Sequence, residues 1–303
     1  MRDATCSAVS RALAEPLFAT ASHVPAWVLI EQPGPWGREA LLSSRLDAAI
    51  GQALHRRGHA TGVRVVLIRR PGRAVPGPRR CFLAHTGRRA RWLEEVRVED
   101  PLQLLALDWT RLLQGEPAGF GERVRGAVYL ACTNGRHDQC CATWGRPLAQ
   151  AVAAVAGERA WEVSHIGGDR FAGNLVCLPE GVYYGRLGPL EAPRAVALHE
   201  RGQVDLDHYR GRCCYPPVVQ AAEHFLRRVE GLIRLDDLVA SWRGHEPGGA
   251  VAVRFGGPAG RWLVRLRVTA ADPDRLLTCH ALQPHRPPAY HLLEVARLEE
   301  HDR

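Results

Sequence analysis

Lysine is absent from this chain: all 40 basic residues are arginine. The formal net charge of +8 would ordinarily raise nucleic acid as a partner, because clustered positive charge follows a phosphate backbone. Here the arginines are dispersed, and the one dense run, RRPGRAVPGPRR at 69–80, carries the Pro and Gly of a solvated loop. Exclusive use of arginine reads as a coding bias toward GC-rich codons, so nucleic acid is not expected as a partner. No apolar run approaches the roughly 20 residues of a membrane span. The opening MRDATCSAVSRALAEPLF lacks the apolar core of a signal peptide. The expected setting is therefore cytoplasmic, with no membrane partner. Also missing is any C-x-x-C motif, which removes the usual attacking and resolving pair of a thiol–disulfide enzyme. Neither a repeat nor a low-complexity tract is visible.

What is present is a chain of 303 residues, 46% hydrophobic, enough for one large core or two modest ones. AWVLIEQPGPWG reads as a strand running into a turn, REALLSSRLDAAIGQALHRRG as an amphipathic helix stopped by Gly58, and VRVVLIRR as a buried strand. That order builds a parallel pair. RCFLAHTG and ARWLEEVRV follow as antiparallel strands, and DPLQLLALDWTRLLQG as one helix. The Gly-rich, charged GEPAGFGERVRG at 115–126 is the best internal boundary. Beyond it come a strand (AVYLAC), a polar loop carrying Cys140 and Cys141, a helix opened by Pro147, a strand ending near His165, a hairpin (NLVCLPEGVYYGRL), and a helix with Val218, Ala222, Phe225 and Val229 on one face. Strand, helix, strand, hairpin, helix is the order of a thioredoxin-like domain. AVAVRFGG, RWLVRLRV and RLLTCHAL suggest a small terminal sheet. The expected fold is α/β and two-lobed, with a thioredoxin-like C-terminal lobe and a small terminal antiparallel sheet: an N-terminal α/β lobe over 1–120, a thioredoxin-like domain over 121–232 and a β extension over 233–303.

The chemistry concentrates in CTNGRHDQCC at 132–141. Nine cysteines, an odd number in a reducing compartment, do not make a disulfide framework. Metal ligation or buried thiols remain. Cys132 should end one strand and His165 the next parallel one, so the two can converge at one sheet edge. Thiolate with imidazole favours zinc or an iron–sulfur centre over hard cations, and His can replace Cys on one iron of a two-iron cluster. Gly167 and Gly168 would let the backbone turn sharply and approach a bulky ligand, offering N–H groups to its sulfides. The bland readings stand beside these. A histidine at a strand end commonly finds an ordinary hydrogen bond. Cys81 and Cys177 sit in apolar strand patterns as small core residues. Cys213 and Cys214 precede a helix whose N-terminus could lower a thiol pKa, while Cys6 and Cys279 are too isolated to assign.

The blocks CTNGRHDQCCATWGRPLAQAV, WEVSHIGGDRFAGNLVCLPEGVYYGRL and YRGRCCYPPVVQAAEHFLR resemble the sucrase/ferredoxin-like family, the thioredoxin-like ferredoxins, and EQPGPWG resembles its bacterial branch. The resemblance implies a [2Fe–2S] cluster, held in eukaryotic members by two Cys separated by eight residues and two His separated by three. Carried over, the Cys pair falls on Cys132 and Cys141 and the first His on His165. The second falls on Asp169, a harder, anionic ligand that would lower the cluster's potential. Cys140 could instead replace it as the fourth ligand, or Asp169 could only hydrogen-bond a ligating group. The name's "sucrase" finds no paired carboxylates of a glycosidase here.

Three functions follow. The leading one is an electron-transfer protein rather than a catalyst with its own substrate, passing single electrons through a [2Fe–2S] cluster to an unidentified redox partner protein. The second is a structural zinc module with a Cys3His site built from Cys132, Cys140, Cys141 and His165. The third, thiol–disulfide chemistry, would rest on Cys140/Cys141 or Cys213/Cys214.

Overall fold

A computed structural model describes residues 4–72, 77–88 and 90–299; part of the arginine-rich loop at 69–80 lies outside them. The architecture is mixed α/β, with a ten-stranded sheet and a separate four-stranded antiparallel one. A short helix α1 (Cys6–Ala12) precedes strand β1 (Ala26–Glu31), helix α2 (Ala48–Thr61) and strand β2 (Arg64–Arg69). As the strand–helix–strand order implies, β1 and β2 pair in parallel. Residues 26–30 are fully buried, as in sheets covered on both faces. Strands β3 (Arg79–Thr86), β4 (Arg91–Val98) and the short β5 (Glu122–Arg123) add on antiparallel beyond β1.

The second half repeats this pattern. Strand β6 (Val128–Cys132), helix α4 (Gln139–Ala156) and strand β7 (Ala160–Val163) form a parallel unit; helix α3 (Trp109–Gln114) precedes them in the first half. Strand β8 (Leu175–Leu178) then pairs with β6, and β9 (Val182–Tyr184) with β8, both antiparallel. In each half the strands lie in the order second, first, third, fourth. The two units meet through the antiparallel pair β2/β7, where Ile68 faces Val163 and Arg69 faces Glu162. The joined sheet curls strongly, bringing the rings of Phe82 on β3 and Trp161 on β7 to 5.5 Å, and those of Trp27 on β1 and Tyr183 on β9 to 6.4 Å. One interior therefore serves both halves.

Helix α5 (Ala192–Glu200) and strand β10 (Tyr209–Arg212) lead into helix α6 (Pro217–Glu230). The small sheet runs β11 (Val239–His245), β12 (Val251–Gly257), β13 (Gly260–Ala270), β14 (Pro288–Arg297) in spatial order. It packs Val253, Phe255, Val264 and Leu266 against Ala222 and Leu226 of α6.

Several expectations are corrected. The helix read over 38–58 begins only at Ala48, where the Asp47 side chain accepts from the N–H groups of Ala49 and Ile50, and it passes Gly58 to stop at left-handed Gly62. The helix read over 100–115 is broken at Leu107, whose extended backbone lets Asp108 cap a fresh turn. RLLTCHAL is a loop rather than a strand. The buried face of α6 carries Val219, Ala222 and Leu226, while Val229 is exposed. Helix α4 starts eight residues before Pro147, so Cys140 and Cys141 occupy its first turn and not a loop; the Asp138 carboxylate accepts the N–H of Cys140 at 2.9 Å. Such a cap is worth about 0.5–2 kcal/mol, and it outcompetes the signal that Pro147 offered.

Candidate metal centres

Cys132 closes β6 and Cys141 sits one turn into α4, directly above it. Helix and strand approach so closely that only glycine fits at Gly145, where a Cβ would run into the Cys132 carbonyl. This contact sets the distance between the two sulfurs. His165 follows β7, and Gly167 and Gly168, both left-handed at φ +91° and +83°, turn the chain so that Asp169 swings back beneath it. The ligand atoms of Cys132, Cys141 and His165 lie within 4.8 Å of one another. Asp169 Oδ1 stands 3.2 Å from Cys141 Sγ and 3.0 Å from His165 Nδ1. The second contact is electrostatic rather than a directed hydrogen bond. Among the described residues neither His165 Nδ1 nor Asp169 Oδ2 has an aligned partner, although both atoms are buried.

His137, a residue the sequence reading passed over, completes the rim. Its ring stacks on that of His165 at 3.6 Å, its Nε2 lies 3.9 Å from Asp169 Oδ2, and with His165 and Asp169 it forms a second overlapping set of possible ligands. It stands five residues after Cys132 in the quoted motif, so the spacing itself offered the signal.

The electrostatics favour the ligating form at Cys132 and Asp169, whereas Cys141 and His165 hold protons that ligation would release. The hydrogen bond from Cys141 holds the Cys132 thiol down at about 5 against the upward push of burial. Cys141 in turn is pushed far up, because the pair shares one proton. Burial opposes a charged imidazole at His165, yet Asp169 and Cys132 outweigh it and bring it up to about 9. Burial also works against a charged Asp169, but His165 holds its carboxyl below the usual range. The buried guanidinium of Arg210 faces this negative charge from within. It donates to Asn174 Oδ1 at 2.9 Å and to the Gly167 carbonyl at 3.1 Å. A side chain at Gly168 would strike that guanidinium, so what approaches this glycine turn in the protein is Arg210.

Cys140 points elsewhere. Its sulfur groups with Cys6, Cys279 and Asp138, so Cys132, Cys140, Cys141 and His165 do not come together as one set. Cys81 and Cys177 are core residues. Burial raises Cys213 to about 12 and Cys214 to about 11, which reverses the activation expected from the following helix. Outside the first group, an open cleft of about 420 Å³ runs along the sheet end, lined among others by His23, His55, His59, Arg38 and Arg64 as well as His137 and His165.

Residues 17–211 match the sequence model of the sucrase/ferredoxin-like family. The chain belongs to that family. No curated protein and no solved structure matches it. The matched stretch of this sucrase/ferredoxin-like protein contains Cys132, Cys141, His165 and Asp169 but neither Cys6 nor Cys279. Both sulfur-containing groups have donor sets and spacing that could hold a metal ion. No helix among the described residues is long and apolar enough to cross a membrane.

Proposed function

We propose that this sucrase/ferredoxin-like protein is a one-electron carrier whose [2Fe–2S] cluster is held by Cys132, Cys141, His165 and Asp169. The observation that carries this reading is the convergence of two buried sulfurs with an imidazole, whose Nδ1, like Asp169 Oδ2, has no aligned hydrogen-bond partner among the described residues. Such orphans are costly unless a missing cation satisfies them. The strand order β7-β6-β8-β9, with β6 and β7 parallel, supports a thioredoxin-like assignment for this half. When bound, the cluster supplies reversible one-electron chemistry.

The chain's own contributions are distinct. Cys132 is poised as thiolate and ready to ligate. Burial of Cys132, Cys141 and Asp169 excludes water from the inner side. Arg210 offsets part of the negative charge that thiolates and carboxylate bring together. His165 and His137 are partly exposed, so the stacked imidazoles form the surface nearest a partner. The adjoining cleft, rich in His and Arg, suits an acidic face on a redox partner protein in the cytoplasm. His137 favours one variant of this reading, in which its imidazole takes the place of Asp169 as fourth ligand.

Purification in air followed by iron, sulfide and visible-spectrum measurement tests the proposal. We expect about two irons and two sulfides per chain and a reddish-brown protein that bleaches on reduction. A colourless protein carrying zinc on Cys132, Cys141 and His165 would replace it with a structural metal site.

A further inference from the structure

Cys6, Cys140 and Cys279 come from the two ends and the middle of the chain, yet their sulfurs form a near-equilateral triangle. The Cys6–Cys140 separation is 3.6 Å, and Cys140–Cys279 and Cys6–Cys279 are both 3.5 Å. Sulfurs bound to one tetrahedral ion at about 2.3 Å stand about 3.8 Å apart, close to this triangle. In a cubane cluster each sulfur would bind a different iron and the three would spread much farther apart. A disulfide would join two of these sulfurs and leave the third beside them unused. The fourth corner is occupied by Asp138, whose Oδ2 lies 3.7 Å from Cys6 Sγ. Its carboxylate is locked in place because Oδ1 accepts from the Cys140 N–H at 2.9 Å and Oδ2 from the Cys279 N–H at 2.7 Å. Further donors point at the sulfurs, the Ser7 hydroxyl at Cys140 Sγ (3.2 Å) and the Cys6 N–H at Cys279 Sγ (3.4 Å), as second-layer groups do around metal thiolates.

From this geometry we infer a second metal site, a mononuclear zinc held by Cys6, Cys140, Cys279 and Asp138. Soft thiolates with one carboxylate select Zn²⁺ over Mg²⁺ or Ca²⁺, and four protein ligands make the site closed and structural rather than open and catalytic. It joins α1, the first turn of α4 and the loop between β13 and β14. Adjacent residues of one helical turn thereby serve two centres, Cys141 the first and Cys140 the second. Two of the four ligands lie outside the family-matched residues, so the site is a device of this chain's two extensions.

The test compares metal content by mass spectrometry in the full-length protein and two variants. Wild-type protein should carry about one zinc per chain beside its iron. Cys6→Ala/Cys279→Ala should lose that zinc and keep iron and colour, whereas Cys132→Ala should lose iron and colour and keep the zinc. Should the double variant fail to fold, Co²⁺ added to Cys132→Ala after its zinc has been stripped by a chelator provides the second arm, with the intense bands of tetrahedral cobalt thiolate expected. Zinc retained by the double variant, wild-type protein without zinc, or cobalt spectra lacking those bands would each overturn the inference. The iron readout separates this result from failure of the electron-carrier reading.

Discussion

Replacing Gly145 by alanine adds one methyl group at the tightest point between α4 and β6. That methyl would overlap the Cys132 carbonyl oxygen outright and sit 2.9 Å from its carbon. Backbone on both sides leaves no flexible side chain to yield, so the helix must move away from the strand by roughly 1–2 Å in a close-packed interior. Two costs follow, and they differ in consequence. Overpacking of this kind costs about 1–3 kcal/mol, which a domain with about 5–15 kcal/mol in hand survives. Metal sites, by contrast, tolerate ligand errors of only about 0.2 Å, and the displaced turn carries Cys141 away from Cys132. We therefore expect a folded protein with its iron content reduced at least about tenfold. Urea unfolding followed by circular dichroism reads the first effect, and iron analysis with the visible spectrum reads the second. Full iron content in a protein of unchanged stability would refute the claim that this contact sets the sulfur separation. Global unfolding would refute the ranking of the two costs.

Asp169→His should retain the cluster, raise its potential and make that potential more dependent on pH; Asp169→Ala with spectrum and potential untouched, while His137→Ala abolishes assembly, would transfer the fourth-ligand role to His137. Arg210→Met removes the buried cation facing Asp169 and Cys132 and should shift the midpoint potential downward in a spectroelectrochemical titration, so an unchanged or higher value would count against its electrostatic role. Glu223 and Arg227 form a fully buried ion pair at 2.9 Å, and Glu223→Gln should cost about 3–5 kcal/mol in urea unfolding; a loss under about 1 kcal/mol would contradict that. His224 stacks on Phe18 at 4.3 Å, and burial, helped by Arg228, lowers its pKa from 6.5 to about 4. The unfolded chain takes up this proton first, so the stability it contributes is whole above about pH 6.5 and is lost by about 3 kcal/mol as pH falls to about 4. His224→Phe should flatten that slope in urea midpoints compared across the range, and an unaltered slope would exclude His224 as its source.

Legibility in the sequence followed the strength of local signals. Strands β1, β2 and β8 are short runs of mainly apolar residues, and each was readable from its pattern. β10 was not, because Tyr209–Arg212 buries Arg210 and Arg212, and such arginines look like surface until their carbonyl and amide acceptors are known. The start of α4 was obscured by Pro147, a residue tolerated well inside the helix; Asp138, three residues before Cys141, was the cap. Cys132 and His165 could be placed together because strand ends of parallel neighbours meet, whereas the choice of Cys141 and Asp169 beside them came from the family resemblance. Cys6 and Cys279, separated by most of the chain, gave spacing nothing to work with, and only tertiary structure reunites them around Cys140.

The β2/β7 seam bears on how the protein can be handled. β7 is four residues long and has β6 on one flank only; its other flank is closed by β2, with Ser164 and Leu67 exchanging two further hydrogen bonds just past the ladder. A shortened version holding only the later half would leave Ala160–Val163 with bare amides and carbonyls beside the ligands, an adhesive margin open to any passing strand. The earlier half's strands, which contribute no atom to the group formed by Cys132, Cys141 and His165, thus act as a permanent dust cover for the half that does.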